Sequence, residues 1–337
     1  MRVLITGVSG FVGGHLAAFL AAQNVPGNDS MPLELHGTIR RPETRPVLAS
    51  LGLTLHQTDV CDADQVRALI DTVRPDRIYH LAGQAYVPLS FEQPWPTFEA
   101  NFRGTLNLLQ AVRDLRLSMV RLLIVGSAEM YGIVRPELLP LTETTPFAPG
   151  SPYSVSKIAQ DMLALQYYLS FQTYTVRVRA FNHIGPGQSD RFSVAAFASQ
   201  IARIERGQAE PVVYVGNLSA ERDFTDVRDV VRAYYLALEH SPAGAVYNVC
   251  SGVAHPMRHI LDRLIALSTQ PVAVQVDPRR LRPIEIPRLV GDNSSLRRQT
   301  DWQPTITLDQ TLHDVLDDWR QRLRDPYSLP DSHSQSH

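Results

Sequence analysis

Tyr153 and Lys157 are the two residues whose types and spacing most clearly predict chemistry. They lie four positions apart at the start of segment 153–170, whose apolar spacing predicts a helix, so their side chains share one face. An adjacent ammonium favours the phenolate of a tyrosine and lowers its pKa from about 10 towards neutrality. Ser127, at the end of a predicted strand, could hold a substrate oxygen against that phenol. The three residues predict an acid–base site, although the Tyr-x-x-x-Lys spacing also arises by chance in many helices.

Three glycines near the N-terminus predict a site for a dinucleotide pyrophosphate. They follow a short β-type run, residues 3–5, and precede an Ala- and Leu-rich helical pattern. The first permits a tight turn, the second lets the backbone approach a phosphate, and the third lets the helix pack closely on its strand. Amides at the helix N-terminus would bind the phosphates; a plain structural turn is the alternative. The expected cofactor contacts in this turn are Gly7, Gly10, Phe11, Val12 and Gly13.

The end of the second predicted strand, 33–39, bears on the choice of cofactor. In a dinucleotide fold an acidic residue there selects NAD, whereas an arginine accommodates the 2′-phosphate of NADP. Arg40 and Arg41 follow this strand, and no acidic residue occurs before Glu43. We therefore expect NADP(H), with Arg40 on the phosphate; NAD(H) stays possible because both arginines could simply be solvated. Asp59, with Val60 beside it, could accept a hydrogen bond from the adenine amino group.

Alternating strands and helices must position these groups. Predicted strands at 3–5, 33–39, 51–56, 77–83 and 121–125 are separated by helical segments, which indicates parallel βαβ units in a doubly wound α/β (Rossmann) sheet. Ligands of such sheets bind at the carboxyl ends of the strands. Leu81 and Ala82 stand at one such end, beside the expected path of the nicotinamide, and Ser127 and Glu129 stand at another.

Composition argues against several classes of protein. The 337 residues suffice for one large or two fused domains, and a net charge of −2 provides no basic field for nucleic acid or a membrane surface. Cys61 and Cys250 lie far apart without metal-ligand spacing, which favours a reducing compartment over a disulfide scaffold. No leader-like N-terminus or apolar run of ~18 residues occurs, so we expect a cytoplasmic protein. We expect no metal site, since the three histidines of the polar tail, 325–337, read as a frayed end.

Taken together, the motifs resemble those of the extended short-chain dehydrogenase/reductase family over residues 2–324. The resemblance rests on the glycine turn, Asp59-Val60, His80-Leu-Ala82, Asn101 with Gly104-Thr105, Ser127 with Tyr153 and Lys157, and segment 179–186. It implies a Rossmann domain, 1–180, that also carries the catalytic residues. It further implies a smaller α+β substrate domain, 181–324, from which the chain could cross back. By the same resemblance Ala82 and Phe181 would lie near the nicotinamide, and Lys157 would hold its ribose.

Within that family the sequence looks most like the branch that acts on GDP-mannose and its derivatives. Segments 215–218, 222–229 and 281–292 resemble the parts of that branch that bind the GDP moiety. Arg222 and Arg282 would then clamp the diphosphate and Glu285 would bind ribose hydroxyls, which suits guanidinium and carboxylate groups; solvated arginines on loops are the alternative. The expected substrate contacts are Gln84, Ser90, Ser127, Asn182, Asn217, Arg222, Arg282 and Glu285.

Two activities of this branch stay open. A 4,6-dehydratase oxidises carbon 4 of the sugar, uses a glutamate as base at carbon 5 and returns the hydride, whereas a reductase delivers hydride to a 4-keto group. Glu129 stands where the dehydratase base would be, but related reductases keep a glutamate there too. Ser127, where dehydratases usually have threonine, and segment 181–188 look more like the reductases. We expect reduction of GDP-4-keto-6-deoxy-D-mannose to GDP-D-rhamnose; a dehydratase, another nucleotide-sugar 4-epimerase and a non-catalytic NADP sensor are the alternatives.

Two predicted helices, 98–116 and 153–170, carry apolar residues on more than one face. By the resemblance they would pair across a two-fold axis as a four-helix bundle and form a homodimer. Burial inside the domain is the alternative explanation of the same pattern.

Overall fold

The structure is a computed structural model, and it describes residues 1–23, 32–41, 48, 50–281, 284 and 286–324. Four features that the sequence singled out lie outside the described residues. They are Glu43, Arg282, Glu285 and the tail 325–337.

Thirteen strands occur in the described part of the chain. They are β1 (Arg2–Thr6), β2 (Glu34–Ile39), β3 (Thr54–Gln57), β4 (Arg77–His80), β5 (Arg121–Ser127), β6 (Tyr174–Ala180), β7 (Asn182–Ile184), β8 (Val212–Val215), β9 (Glu221–Asp226), β10 (Val246–Val249), β11 (Ala254–Pro256), β12 (Ala273–Val276) and β13 (Arg288–Leu289). Seven of them form one sheet in the order β10-β6-β5-β4-β1-β2-β3, and every neighbouring pair is parallel. This arrangement confirms the predicted doubly wound α/β sheet.

The described helices lie between these strands, except for the last two, which follow β13. They are α1 (Phe11–Gln23), α2 (Ala63–Val73), α3 (Val87–Glu92), α4 (Pro94–Phe98), α5 (Gly104–Asp114), α6 (Pro152–Phe171), α7 (Ser193–Glu205), α8 (Val227–His240), α9 (Met257–Ala266), α10 (Ser294–Thr300) and α11 (Leu308–Arg324). The predicted helix at 98–116 is helical as far as Asp114, but it contains a π-helical turn, Glu99–Arg103, which joins α4 to α5. None of the described helices is both long and apolar enough to cross a membrane.

The part of the chain after β6 contributes both to the large sheet and to two smaller sheets. Strand β10 pairs with β6 in the large sheet, and α8 packs against α1 and the same sheet. Strand β9 pairs with β7, β11 and β13 in a second sheet, and β8 pairs with β12. A separate apolar cluster joins α7, α9 and α11 to β8. The chain thus returns to the large sheet after residue 181, while a domain boundary at 180 stays a prediction.

Candidate functional site

Ser127, Tyr153 and Lys157 lie together at the carboxyl edge of the large sheet. Ser127 is the last residue of β5, and Tyr153 and Lys157 lie in the first two turns of α6. The start of α6 is fixed by Ser151, whose hydroxyl accepts a hydrogen bond from the Ser154 amide at 3.1 Å. These three of the four predicted catalytic side chains are at least nine-tenths buried, so they would act in a site largely free of bulk water.

The phenol of Tyr153 is hydrogen-bonded to the side chain of Ser127. Burial raises the pKa of Tyr153 to about 12; the bond to Ser127 opposes this shift and the charge of Glu129 adds to it. The expectation that Lys157 lowers this pKa towards neutrality is therefore wrong for the described structure, where desolvation dominates. Tyr153 therefore carries its proton at neutral pH in this structure.

The ammonium of Lys157 is held by the protein core. It donates to the carbonyl oxygen of Val125 at 2.9 Å and to the side-chain oxygen of Gln160 at 2.8 Å. Burial lowers the pKa of Lys157 to about 8. Gln160 is a functional candidate that the sequence analysis did not single out, although it lies three residues after Lys157 on the same helix face.

Asn101 lies in the π-helical turn, and its side chain braces the loop after β4. Its amide oxygen accepts from the Gln84 amide at 2.8 Å, and its amide nitrogen donates to Ser156 at 2.9 Å. Single π-turns inside helices are often found at functional sites because they redirect one side chain. The sequence marked Asn101 only as part of a resemblance, and nothing in its spacing indicated the π-turn.

The glycine turn between β1 and α1 forms a cradle that no larger residue would fit. Gly7 has a φ of 71°, and a Cβ there would lie 2.9 Å from the Cα of Ala82. A Cβ on Gly13 would collide with the carbonyl oxygen of Gly7, and one on Gly10 would lie 3.1 Å from the same oxygen. This close backbone turn at the N-terminus of α1, where Phe11 and Val12 begin the helix, suits a pyrophosphate.

The other predicted cofactor residues lie around the same edge of the sheet, apart from the Phe181 side chain. Arg40 is exposed directly after β2, and Asp59 is exposed after β3 with one carboxylate oxygen on the Cys61 amide. The amides of Leu81 and Ala82 both donate to the Thr6 hydroxyl at 3.1 Å. Val60 packs against Gly104. The ring of Phe181, by contrast, is buried in an apolar cluster with Tyr131 and Cys250.

Two residues predicted to contact substrate, Gln84 and Ser90, have side chains that are hydrogen-bonded to other groups of the protein. The side chain of Gln84 bonds to both the amide and the carbonyl of Tyr86 and to Thr97 at 3.1 Å, which closes the loop after β4. Ser90 is fully buried and donates its hydroxyl to the Val87 carbonyl at 2.7 Å. A contact of Ser90 with the sugar stays a prediction, since the hydroxyl proton is already donated within α3.

The remaining predicted substrate residues are spread along the second sheet and its loops. Asn182 begins β7 and is half-buried, while Asn217 is exposed and accepts from the amide and hydroxyl of Ser219. Arg222 is 5% exposed in β9 and donates to the Glu221 carbonyl at 2.9 Å. A diphosphate clamp by Arg222 stays a prediction, since most of this guanidinium is enclosed by protein.

A small cleft opens beside Glu129, next to the Ser127 and Tyr153 pair. Glu129 is half-buried in a short 3-10 turn after β5, and its amide donates to the Ser127 hydroxyl at 3.2 Å. The cleft is lined by Val87, Phe91, Glu129, Gly150, Ser151, Ile284 and Ile286. No group of side chains suited to a metal ion occurs among the described residues.

Comparisons with known proteins agree with this geometry. Residues 4–315 match the family model described as GDP-mannose 4,6 dehydratase. The chain is 38% identical over 324 residues to a GDP-6-deoxy-D-mannose reductase of Pseudomonas aeruginosa, with 96% of this chain and 99% of that protein covered. It is 30% identical to a GDP-mannose 4,6-dehydratase of Vibrio cholerae, with 94% and 92% covered.

Solved structures show the same fold. A structure of RMD from Pseudomonas aeruginosa complexed with NADPH has a TM-score of 0.82 and 37% identity, with 95% of this chain and 99% of that chain covered. The UDP-glucose 4-epimerase of Thermus thermophilus in complex with NAD has a TM-score of 0.83 and 29% identity, with 95% and 99% covered. The family model and both near-full-length relatives confirm the predicted branch. The chain belongs to the GDP-mannose 4,6 dehydratase family.

Proposed function

We propose that the chain is an NADPH-dependent reductase that converts GDP-4-keto-6-deoxy-D-mannose to GDP-D-rhamnose. The observation that carries this proposal is the buried phenol of Tyr153, which is bonded to Ser127 and lies one helical turn before Lys157 at the carboxyl edge of the sheet. Such a phenol is protonated at neutral pH, and reduction of a ketone needs a proton donor. Similarity over nearly the whole chain to a GDP-6-deoxy-D-mannose reductase supports the substrate.

In this proposal the chain supplies the proton and the orientation. When bound, NADPH supplies the hydride that adds to carbon 4 of the sugar. Tyr153 donates its proton to the carbonyl oxygen, so one C–H and one O–H bond form as the C=O double bond becomes a single bond. Ser127 holds that oxygen against the phenol. Solvent then returns a proton to Tyr153.

The binding of NADPH follows from the residues around the sheet edge. The amides of the glycine turn would hold the pyrophosphate, as at other helix N-termini. Arg40 is exposed directly after β2, where a 2′-phosphate would be bound. Asp59, after the neighbouring strand β3, would accept from the adenine amino group. The solved relative that is complexed with NADPH supports NADP(H) over NAD(H).

Glu129 favours one rival activity, that of a GDP-mannose 4,6-dehydratase. A carboxylate two residues after Ser127 and beside Tyr153 is suited to remove a proton at carbon 5 of the sugar. That reaction begins with oxidation at carbon 4, however, and oxidation needs Tyr153 as a base. We favour the reductase because the chain is 38% identical to a GDP-6-deoxy-D-mannose reductase and 30% identical to a GDP-mannose 4,6-dehydratase.

We also infer that the chain forms a homodimer through α6 and its neighbours. Val155, Met162 and Leu169 are exposed at seven-residue intervals on α6, and the Trp95 side chain of α4 is 70% exposed. A seven-residue apolar repeat forms a continuous seam along a helix, which a second copy of the same helix can cover.

Both cysteines are free, which supports a reducing, cytoplasmic location.

The direct test of the activity follows the absorbance of the reduced cofactor. Purified protein with NADPH and GDP-4-keto-6-deoxy-D-mannose should consume one NADPH for each GDP-D-rhamnose formed. With GDP-mannose alone, no product should form. Conversion of GDP-mannose without net loss of NADPH would identify a dehydratase instead.

A further inference from the structure

A chain of buried hydrogen bonds connects strand β1 to the ammonium of Lys157. Lys157 donates to the Gln160 side-chain oxygen at 2.8 Å, and the Gln160 nitrogen donates to the Thr105 hydroxyl at 2.8 Å. Thr105 also contacts Nε2 of His80 at 3.0 Å, and Nδ1 of His80 contacts the Thr6 hydroxyl at 2.8 Å. Each of these five side chains is at least nine-tenths buried. The chain crosses from β1 through β4 and α5 to α6.

The backbone after β4 fixes the direction of the first bonds. The Thr6 hydroxyl accepts from the amides of Leu81 and Ala82, so its only proton points to Nδ1 of His80. His80 must then carry its proton on Nε2 and donate it to Thr105. Burial, with the nearby charge of Lys157, lowers the pKa of His80 to about 3, so the ring stays neutral in this role.

The same reasoning fixes the orientation of the Gln160 amide. Thr105 donates its single proton to the Asn101 carbonyl at 2.7 Å, so it can only accept from its other partners. The Gln160 nitrogen must therefore face Thr105, and the Gln160 oxygen must face Lys157. The amide cannot flip without placing a donor against the ammonium. The network thus holds one acceptor permanently against this cation.

This acceptor matters because the ammonium is buried. Two of its three protons go to Gln160 and to the Val125 carbonyl, and burial alone lowers the pKa of Lys157 to about 8. Among the described residues, His80 is a titratable group whose pKa responds to the charge of Lys157, and Tyr153 lies one helical turn away. His80 stays neutral above about pH 4 and Tyr153 stays neutral below about pH 11. Loss of the Gln160 acceptor would leave a buried donor unpaired.

We propose that Gln160 is a positioning residue of the cofactor site, which holds the Lys157 ammonium and ties it, through Thr105 and His80, to the backbone of Leu81 and Ala82. The cation and the end of β4 then form one rigid unit on the side of the site where the glycine turn meets Ala82. This inference rests on the proposed function only for the role of Lys157 in binding NADPH.

Fluorescence titration of the protein with NADPH at a series of pH values tests the proposal. Gln160→Leu removes the acceptor, so NADPH binding should weaken about tenfold or more near pH 7, and its loss on raising the pH should begin at lower pH. Gln160→Glu supplies a charged acceptor, so the loss should begin at higher pH than in the original protein. A merely structural role would shift neither midpoint. Unchanged midpoints, or shifts in the reverse directions, would overturn the proposal.

Thr105 provides a second pair of variants that tests the network one bond further away. Thr105→Ser keeps the hydroxyl and should leave the pH midpoint unchanged, whereas Thr105→Val should lower it in the same direction as Gln160→Leu. Gln310→Leu, at an exposed glutamine of α11, is the matched control and should behave as the original protein.

The outcomes separate this inference from the proposed function. If Lys157→Met binds NADPH with unchanged affinity and pH dependence, the cofactor role of Lys157 is contradicted. If Lys157→Met changes both but the folded Gln160 and Thr105 variants change neither, the positioning role alone is overturned. Should Gln160→Leu fail to fold, the comparison of Gln160→Glu with Thr105→Val decides, since these are expected to move the midpoint in opposite directions.

Discussion

The Lys157 ammonium donates to the carbonyl of Val125, two residues before Ser127 on β5. This bond joins helix α6, which carries the Tyr153 phenol, to the strand that carries the hydroxyl beside it. The spacing between proton donor and orienting hydroxyl is thus set by the packing of one helix on one strand. The buried Lys157 ammonium links the helix to the strand, and its charge depends on pH because burial lowers its pKa to about 8.

Replacement of Tyr153 by phenylalanine tests the proton donor. Turnover should fall by about two to four orders of magnitude, the usual span for a lost general acid. The reason is that the variant lacks the hydroxyl that lies against Ser127 and donates the proton. NADPH affinity should change little, since the ring and its packing are retained. Stopped-flow measurement of NADPH oxidation checks this, and turnover close to that of the original protein would remove Tyr153 from the mechanism.

Two adjacent glycines of α1 provide a matched test of the phosphate cradle. Gly13→Ala places a Cβ against the Gly7 carbonyl and 2.8 Å from the Val8 Cα, so the turn must shift and NADPH binding should be lost. Gly14→Ala meets nothing closer than 4.0 Å, and it should bind normally and gain up to about 1 kcal/mol of helix stability. Isothermal titration and thermal unfolding measure both effects. Equal binding by the two variants would argue against the cradle.

His80 predicts how stability depends on acid. Its pKa is lowered to about 3 in the folded chain by burial and by Lys157, whereas the unfolded value is near 6.5. Between these values the unfolded state binds the extra proton, so stability should fall as the pH falls from about 6.5, by up to ~1.4 kcal/mol per pH unit for this group. Burial also lowers the pKa values of His15 and His183, so these two residues should add to the fall in stability with falling pH.

Urea denaturation at a series of pH values measures that slope. A His80→Asn variant should be less stable at neutral pH, because it loses bonds to Thr6 and Thr105, but its stability should depend less steeply on acid. An unchanged slope would mean that His80 does not remain neutral in the folded state.

The seam on α6 predicts a subunit interface. Met162→Glu places a charge in the middle of the seven-residue repeat formed with Val155 and Leu169, and it should convert a dimer to a monomer. Met119→Glu is the control, because Met119 is 86% exposed in the loop before β5 and outside the seam. Light scattering after size exclusion distinguishes the two. A monomeric original protein, or a dimeric Met162→Glu variant, would contradict the interface.

Much of the fold could be predicted because its signals are local. The glycine turn and the alternating strands and helices depend on neighbours in sequence, and both are present in the structure. The π-turn at 99–103 could not be predicted, since its apolar spacing is that of an ordinary helix. The return of β10 to β6 was foreseen only through the family resemblance, because pairing between distant strands leaves no local pattern.

The candidate site divides in the same way. Residue types at strand ends correctly brought Ser127, Tyr153 and Lys157 together, because strand order and helix periodicity determine their positions. The pKa of Tyr153 was predicted in the wrong direction, because burial is a property of the packed molecule and outweighs one nearby charge. Ser90 shows the same limit, since only tertiary packing decides that its side chain is buried.

The most direct measurement of the central claim uses NADPH that carries deuterium at the transferred position of the nicotinamide. With GDP-4-keto-6-deoxy-D-mannose the account predicts one deuterium at carbon 4 of the hexose in GDP-D-rhamnose, and one cofactor oxidised for each product molecule, as judged by NMR and mass spectrometry. A product without deuterium at carbon 4, or GDP-mannose dehydrated with no cofactor oxidised, would contradict it.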